Sequence, residues 1–177
     1  AMSVIRDDET EALLLDYMRS IFKAVGLPEE NSDVIIINDP SINAFVAGGQ
    51  TIFVHTGLLT KAKSPDELMF VLAHETGHIV GGHIVRGHQA MEKAQKTALI
   101  STVIGGVLAA ASGHPDAGIA VMMGGQGSAL GLFTSYRQTE ESSADRVAVD
   151  ILDKLGYSML GFEGIMKSLM VSDRLNA

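Results

Sequence analysis

Ser64-Pro65-Asp66-Glu67, followed closely by His74-Glu75-Thr76-Gly77-His78, is the stretch on which the reading of this chain turns. The first four residues form a capping box with proline at the first helical position, so a helix is predicted to begin at Pro65 and to run at least to His78. Two histidines four apart on a helix differ by about 40° in direction, so both imidazoles leave one face and can grip a single cation. Glu75 lies near that face, where it can take a proton from a water that the cation activates. Gly77, Gly81, Gly82 and Gly87 weaken the later turns of the helix.

A hydrolytic centre of this type needs a third protein ligand and one open position for water. The candidates are His83, His88, His114 and the carboxylates late in the chain. A third histidine closes the site in the H-E-x-x-H-x-x-G-x-x-H pattern, and Gly81 fits that pattern, but Ile84 stands where the histidine belongs. On a continuous helix His83 also points about 140° away from His78, so His83 and His88 read as polar-face residues. Glu141-Ser142-Ser143-Ala144-Asp145 is the better source. Glu141 and Asp145 share a helix face one turn apart, so one carboxylate can bind metal while the other accepts the free N–H of a ligand histidine. Glu140 is the rival, rotated by about 100° with Ala144 as its partner four residues on. A solvated acidic face is the plain alternative for the whole cluster.

The bulk properties narrow the classes. The chain has 177 residues, 46% hydrophobic and 19% charged, which suits one compact globular domain over residues 1–177. A formal charge of −8 argues against a nucleic-acid partner, which would need clustered Lys and Arg. With no cysteine, any metal must be held by His, Asp or Glu, and two His with a carboxylate suit zinc while also admitting iron or cobalt.

Working outward from the motif, Leu14, Tyr17, Ile21 and Val25 recur at helical spacing, with acidic Asp7, Asp8 and Glu9 at the start and Gly26 and Pro28 at the stop. Residues 33–38 read as a strand, and Phe45-Val46 and Thr51-Ile52-Phe53-Val54 as two strands joined at Gly48-Gly49. Between Lys96 and Arg137 the only formal charge is Asp116, and two apolar, small-residue stretches, 97–113 and 117–133, flank a turn at His114-Pro115-Asp116. A helix over about 139–155, a break at Gly156 and a last amphipathic helix around 160–170 follow. His55 reads as a polar edge residue after a strand, and His114 as part of a turn. Ala1-Met2 reads as a cloning remnant with no signal peptide behind it.

Asn43-Ala44-Phe45, Gly49-Gln50-Thr51-Ile52-Phe53-Val54, Thr56-Gly57-Leu58-Leu59, HETGH at 74–78 and ESSAD at 141–145 fall in the order seen in one family. The chain resembles the HtpX-like zinc endopeptidases, a gluzincin group that includes the type-1 CAAX prenyl proteases. Asp145-Arg146, Ala148 and Leu155-Gly156-Tyr157 extend the match over most of the chain beyond residue 33. The apolar hairpin at 97–133 and Phe133-Thr134 resemble the periplasmic branch typified by the β-barrel assembly-enhancing protease.

The resemblance implies an α+β, mostly helical zincin-like domain with a small sheet whose edge strand lines the cleft. It assigns one Zn2+ per chain to His74, His78 and Glu141, catalysis to Glu75, and an outer-sphere role to Asp145. It implies that the strand formed by Gln50, Thr51, Ile52, Phe53 and Val54 pairs with extended substrate. The expected partners are polypeptide substrates, including outer-membrane proteins or their assembly machinery, in the periplasm or cell envelope of a bacterium. Periplasmic relatives usually carry a helical-repeat domain after the protease, and that partner-binding half is expected to be absent from this chain. Some also place a functional His downstream of the acidic motif, and none follows Asp145 here.

Two other readings compete. A non-cleaving chaperone or scaffold would use the same fold with a latent zinc site occluded by the hairpin, whose methionines give it an adaptable surface. Alternatively the hairpin is an integral membrane anchor, since a spanning helix needs roughly 17–25 apolar residues. The interrupting glycines favour peripheral contact through 97–133, against the protease or a membrane surface.

Overall fold

The computed structural model describes residues 3–47, 50–158, 160, 162, 164 and 165, and the side chains at 83–85 and 88 lie outside that description. The chain divides into two compact units, Ala1–Gly81 with Ser143–Ala177, and Gly82–Ser142.

The first unit begins with strand β1 (Val4–Ile5) and helix α1 (Asp8–Val25). Asp7 caps α1 by accepting from the Thr10 N–H at 2.9 Å, while Glu11 reaches back to the Asp7 N–H at 3.2 Å, a reciprocal cap of both orphan donors. Gly26, with φ +75°, ends the helix in the left-handed conformation that a glycine adopts without a Cβ clash. The apolar stripe of α1 buries Leu14, Met18, Ile21 and Phe22 completely. Each such side chain contributes about 1.5–3 kcal/mol, an upper figure because the unfolded chain is itself partly collapsed.

That stripe packs on a four-stranded sheet of order β1-β2-β4-β3, where β2 is Asp33–Ile37, β3 is Ala44–Ala47 and β4 is Thr51–His55. β2 and β4 pair in parallel, while β1 against β2 and β3 against β4 are antiparallel. Period-two alternation sends Val34 and Ile36 of β2 and Ile52 and Val54 of β4 into the core. Phe45 and Phe53, directly opposite each other, stack with ring centroids 5.0 Å apart.

This topology corrects one expectation. Thr51–Val54 is an interior strand, with β2 and β3 on its two sides, so its backbone groups are committed to the sheet. The edge strand beside the helix Pro65–Val80 is β3. His55 is corrected as well. It closes β4 at only 9% exposure, bonds through Nδ1 to the Ser41 hydroxyl at 2.8 Å, and meets the Phe45 ring edge-on. The Ser41 hydroxyl and N–H, with His55 beside them, hold the Asp39 carboxyl below its ordinary range.

After the short helix α2 (Thr56–Lys61), α3 (Pro65–Val80) starts where the capping box places it. Ser64 accepts from the Glu67 N–H at 3.3 Å, and Glu67 returns a bond to the Lys63 N–H at 2.7 Å. The helix buries Leu68, Met69, Leu72, Ala73, Thr76 and Gly77 and leaves His74, Glu75 and His78 half-buried. α3 stops at Val80 and Gly82 turns left-handed, so the continuous helix assumed in placing His83 breaks before that residue.

The second unit is built from α4 (His83–Ser112) and the larger part of α5 (Pro115–Leu155). The two helices meet at a turn through Gly113 and His114. α5 is one uninterrupted helix where the sequence suggested a fresh start near residue 139, since runs of glycine lower helix propensity without forbidding the helix. Gly156, φ +75°, ends it. Most of the helix expected at 160–170 lies outside the described residues.

Candidate metal centre

The site begins with helix geometry. His74 and His78 project from the same face of α3, and their Nε2 atoms stand 3.1 Å apart. Two nitrogens each about 2.05 Å from a tetrahedral zinc would stand about 3.3 Å from each other. The pair is therefore already spaced as two ligands of one ion, and no backbone movement is needed to bring them together.

Asp145, from α5, fixes which nitrogen is available. Its Oδ1 lies 2.8 Å from His74 Nδ1, a bond in which the ring N–H donates to the carboxylate. With Nδ1 carrying the proton, the Nε2 lone pair of His74 points toward His78, the side on which these two residues could hold a metal. His74 is the more enclosed partner, its side chain 17% exposed against 41% for Asp145. Phe70 walls the His74 ring on one side, with centroids 6.2 Å apart.

A close approach of two backbones makes that bond available. A Cβ on Gly77 would fall 2.8 Å from both the Cα and the carbonyl oxygen of Ala144. Only a residue without a side chain lets α5 cross α3 at this distance. Gly77 and Ala144 are each one position before a site residue, His78 and Asp145, so the crossing sets the register of the centre. The glycine of HETGH, which the sequence offered only as a weak point in the helix, is thus a positioning residue.

The third carboxylate follows from the same helix. One ligand atom each from His74, His78 and Glu141 lie within 4.8 Å of one another, the one group of this kind among the described residues. Glu141 precedes Asp145 by one turn of α5, as the spacing required. Its rival Glu140 points elsewhere and pairs with Arg86 of α4, Oε2 to Nη2 at 3.2 Å, an interaction the sequence gave no sign of. His114 sits in the turn between α4 and α5, its N–H bonded to Ser112, remote in sequence from these ligands. Gln50 lies in the turn before β4, its amide oxygen buried without a partner among the described residues.

Two imidazole nitrogens and a carboxylate, with one imidazole braced by a second carboxylate, form the donor set of a hydrolytic divalent metal with an open coordination position. The fold and this centre together define a metallopeptidase-type domain. The comparisons carry the assignment to a family. The profile described as Peptidase family M48 matches residues 8–172, and the chain belongs to that family.

Three relatives illustrate the range of the match. The chain is 30% identical over 141 residues to the Beta-barrel assembly-enhancing protease of Yersinia pestis, covering 78% of this chain and 28% of that protein. It is 37% identical over 95 residues to the Mitochondrial metalloendopeptidase OMA1 of Schizosaccharomyces pombe, covering 54% of this chain and 26% of the relative. It is 41% identical over 87 residues to a Protease HtpX homolog of Nitrosomonas eutropha, covering 46% of this chain and 28% of the relative. The chain thus spans little more than a quarter of the length of each of these three relatives.

Proposed function

We propose that this chain is the catalytic domain of a zinc-dependent endopeptidase that hydrolyses unfolded or misassembled proteins in a bacterial cell envelope. The observation that carries the proposal is the convergence of His74 and His78 Nε2 at 3.1 Å, with Asp145 holding the far nitrogen of His74. In this reading His74, His78 and Glu141 hold one zinc per chain. When bound, the ion supplies Lewis acidity, drawing the pKa of a water toward neutrality and polarising the scissile carbonyl.

The chain's own residues perform the proton transfers. Glu75, on the same turn of α3 as the ligand pair, takes a proton from the attacking water and passes it to the leaving amine. Asp145 keeps the proton on His74 Nδ1 and so keeps Nε2 a ligand throughout. The edge strand β3, which packs beside α3, offers main-chain donors and acceptors to an extended peptide. Recognition through backbone bonds gives affinity with loose side-chain preference, which suits a substrate that is unfolded. The envelope location, and outer-membrane proteins or their assembly machinery as partners, rest on likeness to proteins named for β-barrel assembly.

The test is Glu75→Gln with a denatured polypeptide as substrate. The variant is expected to retain its metal and to lose turnover by about a hundredfold or more. Full activity would remove Glu75 from the mechanism. A zinc-loaded wild type that binds unfolded chains without cutting them would favour the scaffold reading instead.

A further inference from the structure

The second unit is built inside out for a protein in water. Where α4 and α5 come closest, most of the residues are small, with Met122 packed among them. A Cβ on Gly105 would fall 2.6 Å from the Gly118 carbonyl oxygen and 2.6 Å from Met122 Cγ. A Cβ on Gly118 would fall on the Gly105 carbonyl and on Ala109, and one on Gly125 would fall on the Ser101 side chain. Ser101, Gly105 and Ala109, four apart along α4, thus form a seam against Gly118 and Gly125 of α5.

The large apolar side chains face outward. On α4, Leu99, Ile100, Val103, Ile104 and Val107 are 54–65% exposed. On α5, Ile119, Met123, Leu130 and Leu132 are 51–68% exposed. Nine large apolar side chains, each more than half exposed, go well beyond the scattered single apolar residues that are normal on a monomer's surface. The hydrophobic effect in water would exchange the two sets, putting leucine and isoleucine in the seam. Small residues inside and branched residues outside is the arrangement favoured where the surroundings are hydrocarbon and packing alone drives association.

Length and charge agree. Among the described residues Gln89–Ser112 is the one helical segment long and apolar enough to cross a membrane, and 6% of its most apolar window is buried, unlike the core helix of a soluble protein; α5 accompanies it through the small-residue seam. From Thr97 to Ser112 the helix rises about 24 Å, and lysines that extend along their stems from Lys96 or Lys93 bring this near the ~30 Å hydrocarbon thickness. Exposed Lys93, Lys96 and Arg137 stand at one end of the hairpin, and His114 and Asp116 at the other.

We propose that the α4–α5 hairpin inserts into a lipid bilayer, with its outward Leu, Ile and Val side chains in the hydrocarbon. The turn at His114 and Asp116 lies in the far headgroup layer, and Lys93, Lys96 and Arg137 meet phosphates at the near one. This assignment is independent of the metal centre.

The chain has no cysteine, so a single cysteine reports without background. Val107→Cys, labelled with an environment-sensitive fluorophore, is mixed with vesicles of phosphatidylethanolamine and phosphatidylglycerol, with Glu30→Cys as control. The expected result is co-flotation, a several-fold fluorescence rise at position 107 only, and quenching there by lipids spin-labelled deep in the acyl chain. Val107→Asp should lower vesicle partitioning by about a hundredfold, the cost of a carboxylate at membrane depth. Three results would overturn the proposal. One is absence of flotation. Another is flotation abolished by salt without a signal at position 107, which marks peripheral attachment. The third is a signal at 107 that appears without lipid and scales with protein concentration, which marks a second copy as the occupant.

Discussion

Gly77→Ala is the substitution that the crossing of α3 and α5 makes most informative. The added methyl would sit 2.8 Å from two backbone atoms of Ala144, where ordinary contact begins at about 3.4 Å or more. Backbone cannot rotate away as a side-chain tip can, so the helices must separate by roughly 0.6–1 Å. The His74–Asp145 bond of 2.8 Å would lengthen to about 3.4–3.8 Å and cease to hold the imidazole. Overpacking of this kind costs about 1–3 kcal/mol, and replacing glycine by alanine within a helix returns about 1 kcal/mol. The net loss of stability is therefore small, about 0–2 kcal/mol, and the variant folds. Its metal site is expected to suffer far more, since removing an outer-sphere carboxylate partner typically costs 10–100-fold in affinity. Zinc affinity by competition with a chelating dye, beside a thermal melt, separates the two effects. A variant that melts a few degrees lower yet binds zinc as tightly as wild type would refute the claim that Gly77 positions the centre.

Other consequences are open to direct measurement. Asp145→Ala should weaken zinc binding by about 10–100-fold while leaving the stoichiometry at saturating metal unchanged, which titration of apoprotein would show. Zinc at a hundred times its Kd should stabilise the fold by about 2.7 kcal/mol and raise Tm by about 5–10 °C, and a chelator should reverse it. Leu72→Ala, in the fully buried face of α3, should cost about 2–5 kcal/mol in denaturant unfolding. The Thr10 N–H and hydroxyl hold the Asp7 carboxyl below its ordinary value, so the folded state binds that proton less readily than the unfolded one. The cap is thus fully present above the unfolded pKa of about 3.9 and is lost as pH falls through the lower folded value. Melting curves of Asp7→Asn, which keeps a capping oxygen, should lose that acid dependence, whereas Asp7→Ala should lower Tm at neutral pH.

The features legible in the sequence are those that local chemistry decides. The capping box at Ser64 placed the start of α3, and helical spacing placed His74 beside His78 and Glu141 beside Asp145. Strand order was not local. Whether Thr51–Val54 lay at an edge or inside depended on β2 returning beside it in parallel, a pairing that no residue in β4 announces. The same holds for His55, whose partner Ser41 is on another strand connection. Glu140 and Glu141 differed in the sequence only by 100° of helix rotation, and Arg86, far away in the chain, separated them. Gly77 looked like a helix defect because the residue that needs its missing side chain, Ala144, is likewise distant in sequence.

In the proposed mechanism His74, His78 and Glu141 together hold a single ion. Elemental mass spectrometry of metal per chain, on wild type beside Glu141→Gln and Glu140→Gln, tests it most directly. About one zinc per chain is expected in wild type and in Glu140→Gln, since the Glu140 carboxylate is turned to Arg86, and clear loss is expected in Glu141→Gln. Folded wild type that takes up no zinc when it is supplied, or an equal load in Glu141→Gln, would contradict it.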